Sequence, residues 1–254
     1  MTEVPNTLLG KVMLVLNAFG PDDDELGFAD LGRRTGLAKA TLHRLLGDLL
    51  DVRLLDRGTR GYRLGGHLFQ LGMRASVERR LVEVSTPYLE DLYERTHETV
   101  HLGLLEGHEV VYAAKIGGHR QASSPSRLGG RMPLHATAIG KALLAHATPA
   151  LRTEVLTAPL ARRTPRTVVT PGMLRRQLGT IRQTGVAYEF EESRIGLACV
   201  ASPVLDGDGA VVAAVSVAGP TTRFDPRTHA ASVHAAATGI ALTLIRRAAL
   251  TAGS

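Results

Sequence analysis

The sequence predicts an α+β protein: an N-terminal winged helix-turn-helix, a linker helix, and a larger C-terminal α/β domain on a mainly antiparallel sheet. Three observations carry this prediction. Positive charge is concentrated, with eleven Lys/Arg against four acids in residues 31–80, one Lys against six acids in residues 1–30, and eighteen against fourteen in residues 81–254. Apolar residues at helical spacing mark three short helices before residue 52, and a Gly-rich hairpin follows them. Beyond residue 98, β-rich runs alternate with helical ones, the pattern of helices packed on an antiparallel sheet. The predicted boundaries are 1–66 for the winged helix-turn-helix, 67–80 for the linker helix and 81–254 for the C-terminal domain.

Taken in order, Leu9, Val12, Met13, Leu16 and Phe19 form the apolar stripe of a first helix that Gly20-Pro21 stops. Gly27 can cap a second helix over Phe28 to Thr35, with Asp30 in its first turn and Gly36 suited to a left-handed C-terminal turn. A third helix begins three residues later. Its leucines at 42, 45, 46, 49 and 50 fall on one side of a helical wheel, and Ala40, Thr41, His43, Arg44 and Gly47 on the other. Small, hydroxylated and basic residues on the free N-terminal half of the second of two helices joined by a tight turn are what a major-groove recognition helix needs.

The run Arg53 to Leu64 places two short apolar segments around a Gly-rich turn, a hairpin with Arg57 and Arg60 at its tip. Arginines there suit a phosphate backbone or a minor groove. The candidate DNA contacts are therefore Arg34, Lys39, Ala40, Thr41, His43, Arg44, Arg57 and Arg60. A basic stretch alone is a weaker sign, because many basic proteins never touch nucleic acid.

The second half reads as a linker helix from Leu68 to Arg80 and a helical stretch to Thr96. Strands follow at Thr99 to Leu105 and Glu109 to Ile116. Helices fit 136–146, 149–156 and 171–184; strands fit 186–191, 197–205 and 211–218; a last helix covers 226–249. Asp206-Gly-Asp-Gly209 is the turn between the last two strands.

Composition narrows the function classes. No apolar run approaches the roughly 18 residues that span a bilayer, and the N-terminus lacks the charged and apolar regions of a signal peptide. The expectation is a cytoplasmic protein with no membrane partner. The single cysteine, Cys199, excludes an intramolecular disulfide and a Cys-rich zinc module. His97-Glu-Thr-Val-His101 matches a zinc-peptidase pattern, which requires one helix, yet β-branched Thr99 and Val100 lead into a strand and separate the two imidazoles. Gly140-Lys141 lacks the other residues of a phosphate-binding loop. Cys199 has no partner histidine that the sequence can place, and a lone cysteine reads as a small buried hydrophobe. No cofactor, metal or catalytic residue is expected.

The runs Asp30 to Leu46 and Tyr62 to Gly65 resemble the helix-turn-helix and wing of the IclR family of bacterial transcriptional regulators. Glu98 to Leu102, Gly129 to Ala145, Gly196 to Pro203 and Ala213 to Pro220 resemble that family's GAF-like effector-binding domain, in the same order over nearly the whole chain. The resemblance implies a DNA-binding regulator that reads double-stranded DNA at a palindromic operator, binds a small organic or aromatic acid, and assembles as a dimer or dimer of dimers. Carried over residue by residue, it implies an effector site of Ser124, Leu128, Ala138, Ile139, Glu189, Cys199 and Ser216. Ala218 stands where the family often has a second serine, and Glu189 where aspartate is common. Backbone amides at a helix start near 136–140 suit a carboxylate, and Glu189 suits a ligand hydroxyl or amine placed away from it. Readings ranked below this one are a DNA-binding protein whose C-terminal domain only oligomerises, a hydrolase, and an RNA-binding module.

Overall fold

The structure, a computed structural model, describes residues 6–20, 22–117 and 125–252. The chain forms two compact units, Met1–Arg79 and Arg80–Ser254.

In the first unit, α1 (Leu8–Asn17) starts at Thr7, whose hydroxyl accepts from the Gly10 amide. Its buried residues are Gly10 and Val15, with Val12 and Leu16 packed beside them, whereas Leu9 and Met13 are 76% and 48% exposed. The expected stripe is thus rotated. Apolar residues occupy almost every side of this helix, so spacing alone does not choose a face. α2 (Phe28–Thr35) and α3 (Lys39–Asp51) lie where the sequence puts them. Gly36 takes φ +67° and its amide closes α2 on the Gly32 carbonyl, a conformation that costs glycine little. Leu31, Leu42, Leu45, Leu46 and Leu49 are buried together with Leu55 and Tyr62 of the hairpin β1 (Leu55–Arg57) and β2 (Tyr62–Leu64).

The expected continuous helix from Leu68 to Arg80 is broken. α4 (Gly66–Gly72) ends in turns at Met73 to Ala75, where Arg74 and Ala75 donate to Leu71 and Gly72, before α5 (Ser76–Thr96) begins. Gly72, a weak helix former, marks the break.

The second unit is a six-stranded antiparallel sheet in the order β5-β4-β3-β8-β7-β6. Its strands are β3 (Thr99–Glu106), β4 (Glu109–Ile116), β5 (Arg131–Pro133), β6 (Ala187–Phe190), β7 (Leu197–Leu205) and β8 (Val211–Pro220). The three-residue β5 is too short to leave a period in the sequence. Helices cover both faces: α5 and α9 (Ala230–Ala252) on one, α6 (Ala138–His146) with α8 (Pro171–Thr184) and α7 (Pro149–Thr157) on the other.

Strand alternation sorts the sheet residues between two cores. Val100, Leu102, Val200, Val215 and Val217 pack with Leu89, Val233 and Ile240 of α5 and α9. Tyr112, Cys199, Ala201, Ala214 and Ala218 pack with Ile139, Leu143 and Leu174 of α6 and α8. The stretch Pro226–Leu250 is long and apolar enough to cross a bilayer. Val233, Ala237 and Ile240 within it are buried against the sheet, whereas Leu242, Ile245 and Leu250 are exposed.

Candidate functional site

Two sites were expected, one in each unit. On α3, Lys39, Ala40, His43 and Arg44 are exposed and Thr41 half-buried, opposite the buried leucines. The side chains of Lys39 and Arg44 have no ion-pair partner among the described residues. Arg57 and Arg60 are exposed on the hairpin, with the Arg57 guanidinium 4.3 Å over the buried Tyr62 ring.

Arg34 departs from its expected role. Its guanidinium spans both oxygens of Asp23, one at 3.1 Å, and donates to the Ala18 carbonyl at 2.8 Å. Three hydrogen bonds from its rigid fork thereby join α1, the following loop and α2. The sequence gives no local sign of this pairing across eleven residues.

A further contact was also out of reach of local reading. The Glu25 carboxylate accepts from the Thr59 and Arg60 amides at 3.2 and 2.7 Å, and Leu26 and Tyr62 exchange backbone hydrogen bonds. These bonds fix the hairpin. The Arg60 amide, helped by the Thr59 amide and the Arg60 and Arg63 charges, holds the Glu25 carboxyl below its usual range against the opposing effect of burial.

In the second unit, Ala138, Ile139, Glu189, Cys199 and Ser216 line one cavity under the start of α6. Ser124 lies outside the described residues. Leu128 is 67% exposed and not in the cavity lining; it sits in a turn closed by the Gly129 amide donating to Tyr112, which holds this residue at the surface. His101, Tyr112, Met132, Thr137, Ser193, Leu197 and Ala218 complete most of the wall. Strand alternation accounts for His101, since Val100 and Leu102 face the other core.

The cavity is formed by tight backbone packing. Thr137 caps α6 through the Gly140 amide at 3.0 Å. A Cβ on Gly140 would stand 2.5 Å from the Leu134 carbonyl oxygen, so only glycine lets α6 approach this closely.

Its polar groups are arranged by cross-strand pairing. Glu189 lies opposite Cys199, which lies opposite Ala218. One Glu189 oxygen accepts from the amide and the hydroxyl of Ser193, and the other from the Ala138 amide at 3.4 Å. The carboxylate therefore sits at the helix N-terminus, where the sequence placed a ligand carboxylate with Glu189 kept away from it. Burial pushes Glu189 up to about 7 despite the Ser193 bonds and Lys141. The His101 ring lies between the hydroxyls of Ser126 at 2.7 Å and Ser216 at 3.4 Å, and burial with nearby Lys115 pushes it down to about 3. His101 is neutral. Burial and the adjacent Glu189 raise the Cys199 thiol, the opposite of a nucleophile's activation.

Next to the cavity, Lys141 is fully buried and donates to Glu192 at 2.6 Å and Gln177 at 3.1 Å. The second Glu192 oxygen is buried without a hydrogen-bond partner among the described residues. His97 ends α5 in a left-handed turn at φ +52° while His101 lies within β3, so the two histidines belong to different elements.

Residues 8–58 match the family profile described as the IclR helix-turn-helix domain, and residues 73–242 match that of the bacterial transcriptional regulator IclR C-terminal domain. The chain is 34% identical over 236 residues to the HTH-type transcriptional regulator KdgR of Dickeya chrysanthemi, covering 91% of this chain and 77% of that protein. It is 35% identical over 218 residues to XynR of Escherichia coli K12, covering 85% and 86%. A crystal structure of an IclR homologue from Microbacterium hydrocarbonoxydans in complex with 4-hydroxybenzoate superposes with a TM-score of 0.88 at 34% identity, over 95% of this chain and all of that one. The Thermotoga maritima IclR structure gives 0.74 at 29% identity, over 93% and 98%.

Proposed function

Because this chain belongs to the IclR family of DNA-binding, effector-responsive transcriptional regulators, a non-enzymatic family, we propose that α3 reads a palindromic operator and that the cavity under α6 takes a small organic or aromatic acid. Lys39, Ala40, Thr41, His43 and Arg44 contact the major groove, and Arg57 and Arg60 contact backbone or minor groove. Arg34 is not part of this set.

The convergence of Ala138, Ile139, Glu189, Cys199 and Ser216 on one cavity supports the effector assignment. Tyr112, Met132 and Leu197 offer an apolar wall and Ser216 a hydroxyl, while a ligand anion reaches the α6 N-terminus only by displacing the Glu189 carboxylate from the Ala138 amide. Glu189, near neutrality in its pKa, donates to a ligand oxygen when protonated and accepts from a ligand hydroxyl when charged. A hydroxylated aromatic acid suits this mixture, and the homologue with 34% identity holds 4-hydroxybenzoate.

Thermal melting with a panel of small aliphatic and aromatic carboxylic acids tests the effector. At least one acid raises the melting temperature, because a ligand of the native state stabilises it by mass action. No shift across the panel favours a C-terminal unit that only oligomerises. Two heads on two half-sites require a dimer at least, and light scattering at the 27.1 kDa monomer mass would remove that part of the proposal.

A further inference from the structure

Residues 149–185, covering α7, α8 and the chain between them, hold seven arginines, no lysine and one acid, Glu154. The remainder of residues 81–254 holds eleven basic residues against thirteen acids, so this segment carries the whole positive surplus of the second unit. Six of the seven arginines are exposed and the seventh, Arg152, is half-buried. Ordinary soluble surfaces intersperse the two signs, and a large field of one sign is the footprint of an oppositely charged partner.

Four of these arginines, Arg152, Arg175, Arg176 and Arg182, stand on two neighbouring helices. α7 and α8 pack on each other and on α6. Arg152 and Arg182 both stand close enough to His146, at the end of α6, to disfavour its protonation alongside the effect of burial. Arg175 and Arg182 are seven residues apart on α8 and so lie on one side of it. Internal neutralisation is slight. Arg166 pairs with Glu191 at 3.0 Å, and Glu154 is taken by His108 at 2.8 Å. Arg163, Arg175, Arg176 and Arg182 have no ion-pair or side-chain hydrogen-bond partner among the described residues.

We infer that this arginine face of the second unit is an additional, sequence-independent contact for the phosphate backbone of duplex DNA. Arginine's planar fork of donors matches phosphate oxygens, and each phosphate neutralised releases counterions. A face whose one acid, Glu154, is engaged by His108 recognises charge rather than base edges. The inference rests on the DNA-binding reading of the first unit and adds a second anchoring surface to it.

The test is full-length protein on a random-sequence duplex of about 60 base pairs, titrated across salt concentration by fluorescence anisotropy. The triple variant Arg175→Gln, Arg176→Gln, Arg182→Gln is compared with wild type and with a control of equal charge change, Arg95→Gln, Arg131→Gln, Arg227→Gln, whose arginines pair with acids. Thermal melting establishes that both variants are folded. The face variant is expected to lower the slope of log K against log salt by about two to three, while the control leaves it nearly unchanged. An unchanged slope in the face variant, or an equal fall in the control, overturns the inference while leaving the helix-turn-helix reading intact. A face variant that binds DNA like wild type but no longer regulates added RNA polymerase also overturns it, in favour of an acidic protein partner. Wild-type protein that fails to bind duplex DNA at all defeats the underlying reading as well.

Discussion

Glu25 accepts two hydrogen bonds from the backbone of Thr59 and Arg60, so an acidic residue holds the tip of a hairpin whose own side chains are basic. Glu25→Ala removes the anchor without removing any positive charge. DNA affinity should fall by about threefold to tenfold through loss of hairpin positioning, the role that backbone contacts play in setting register. Anisotropy on duplex DNA checks this, and amide exchange at Thr59 and Arg60 should accelerate in parallel. Slow exchange together with weakened binding would mean that Glu25 acts by another route.

Arg44 and Lys39 should separate by role. Arg44→Ala on the exposed face of α3 weakens specific binding by roughly 1–3 kcal/mol and relaxes sequence preference. Lys39→Ala, at the helix start, lowers affinity across all sequences and flattens the salt slope by about one. Selection from a randomised duplex library reads both, and equal loss of discrimination in the two variants contradicts the division.

Two buried groups in the cavity should give opposite pH signatures. Glu189 is raised in the fold from 4.5 to about 7, so the native state binds more protons than the unfolded chain between those values, and its contribution to stability is lost as pH rises through that window. His101 is lowered from 6.5 to about 3, so its contribution is present above 6.5 and lost as pH falls towards 3. Relative to wild type, Glu189→Gln should therefore gain stability from pH 5 to 8. His101→Gln should gain in the other direction, below about pH 6.5. Urea denaturation at stepped pH measures the differences; parallel curves for either variant and wild type contradict the assignment.

Lys141 and Glu192 form a buried ion pair, and breaking it from one side should cost more than removing it whole. Lys141→Met leaves a buried carboxylate without its cation, a change that typically costs about 3–5 kcal/mol. Lys141→Met with Glu192→Leu should recover much of that loss. A double variant no more stable than the single would show that Gln177 and the neighbouring backbone, rather than the pair, hold the site.

What was legible in the sequence is what local chemistry encodes. Gly27 and Gly36 bracket α2 to the residue because capping is local, and the leucines of α3 fix its buried face because its other side is polar. α1 has few polar residues, so spacing found Val12, Leu16 and Phe19 on the core side but wrongly added Leu9 and Met13 and missed Val15. Arg34 looked free because its partner Asp23 is brought to it only by tertiary packing. Among the cavity residues, Glu189, Cys199 and Ser216 came from family resemblance. His101 was passed over because a histidine in a strand announces nothing until the face opposite Val100 and Leu102 is known. Leu128 followed the resemblance to a turn that the fold leaves at the surface.

Cys199 is the chain's sole thiol, it is buried, and its environment keeps it protonated. A sulfhydryl reagent can therefore label the native protein only during excursions that open the cavity wall, and the labelling rate counts those excursions. Any compound that fills the cavity must slow the count, whether or not it shifts DNA binding. The protein thus carries a built-in occupancy gauge at the proposed effector site, needing neither a known operator nor a known effector to be read.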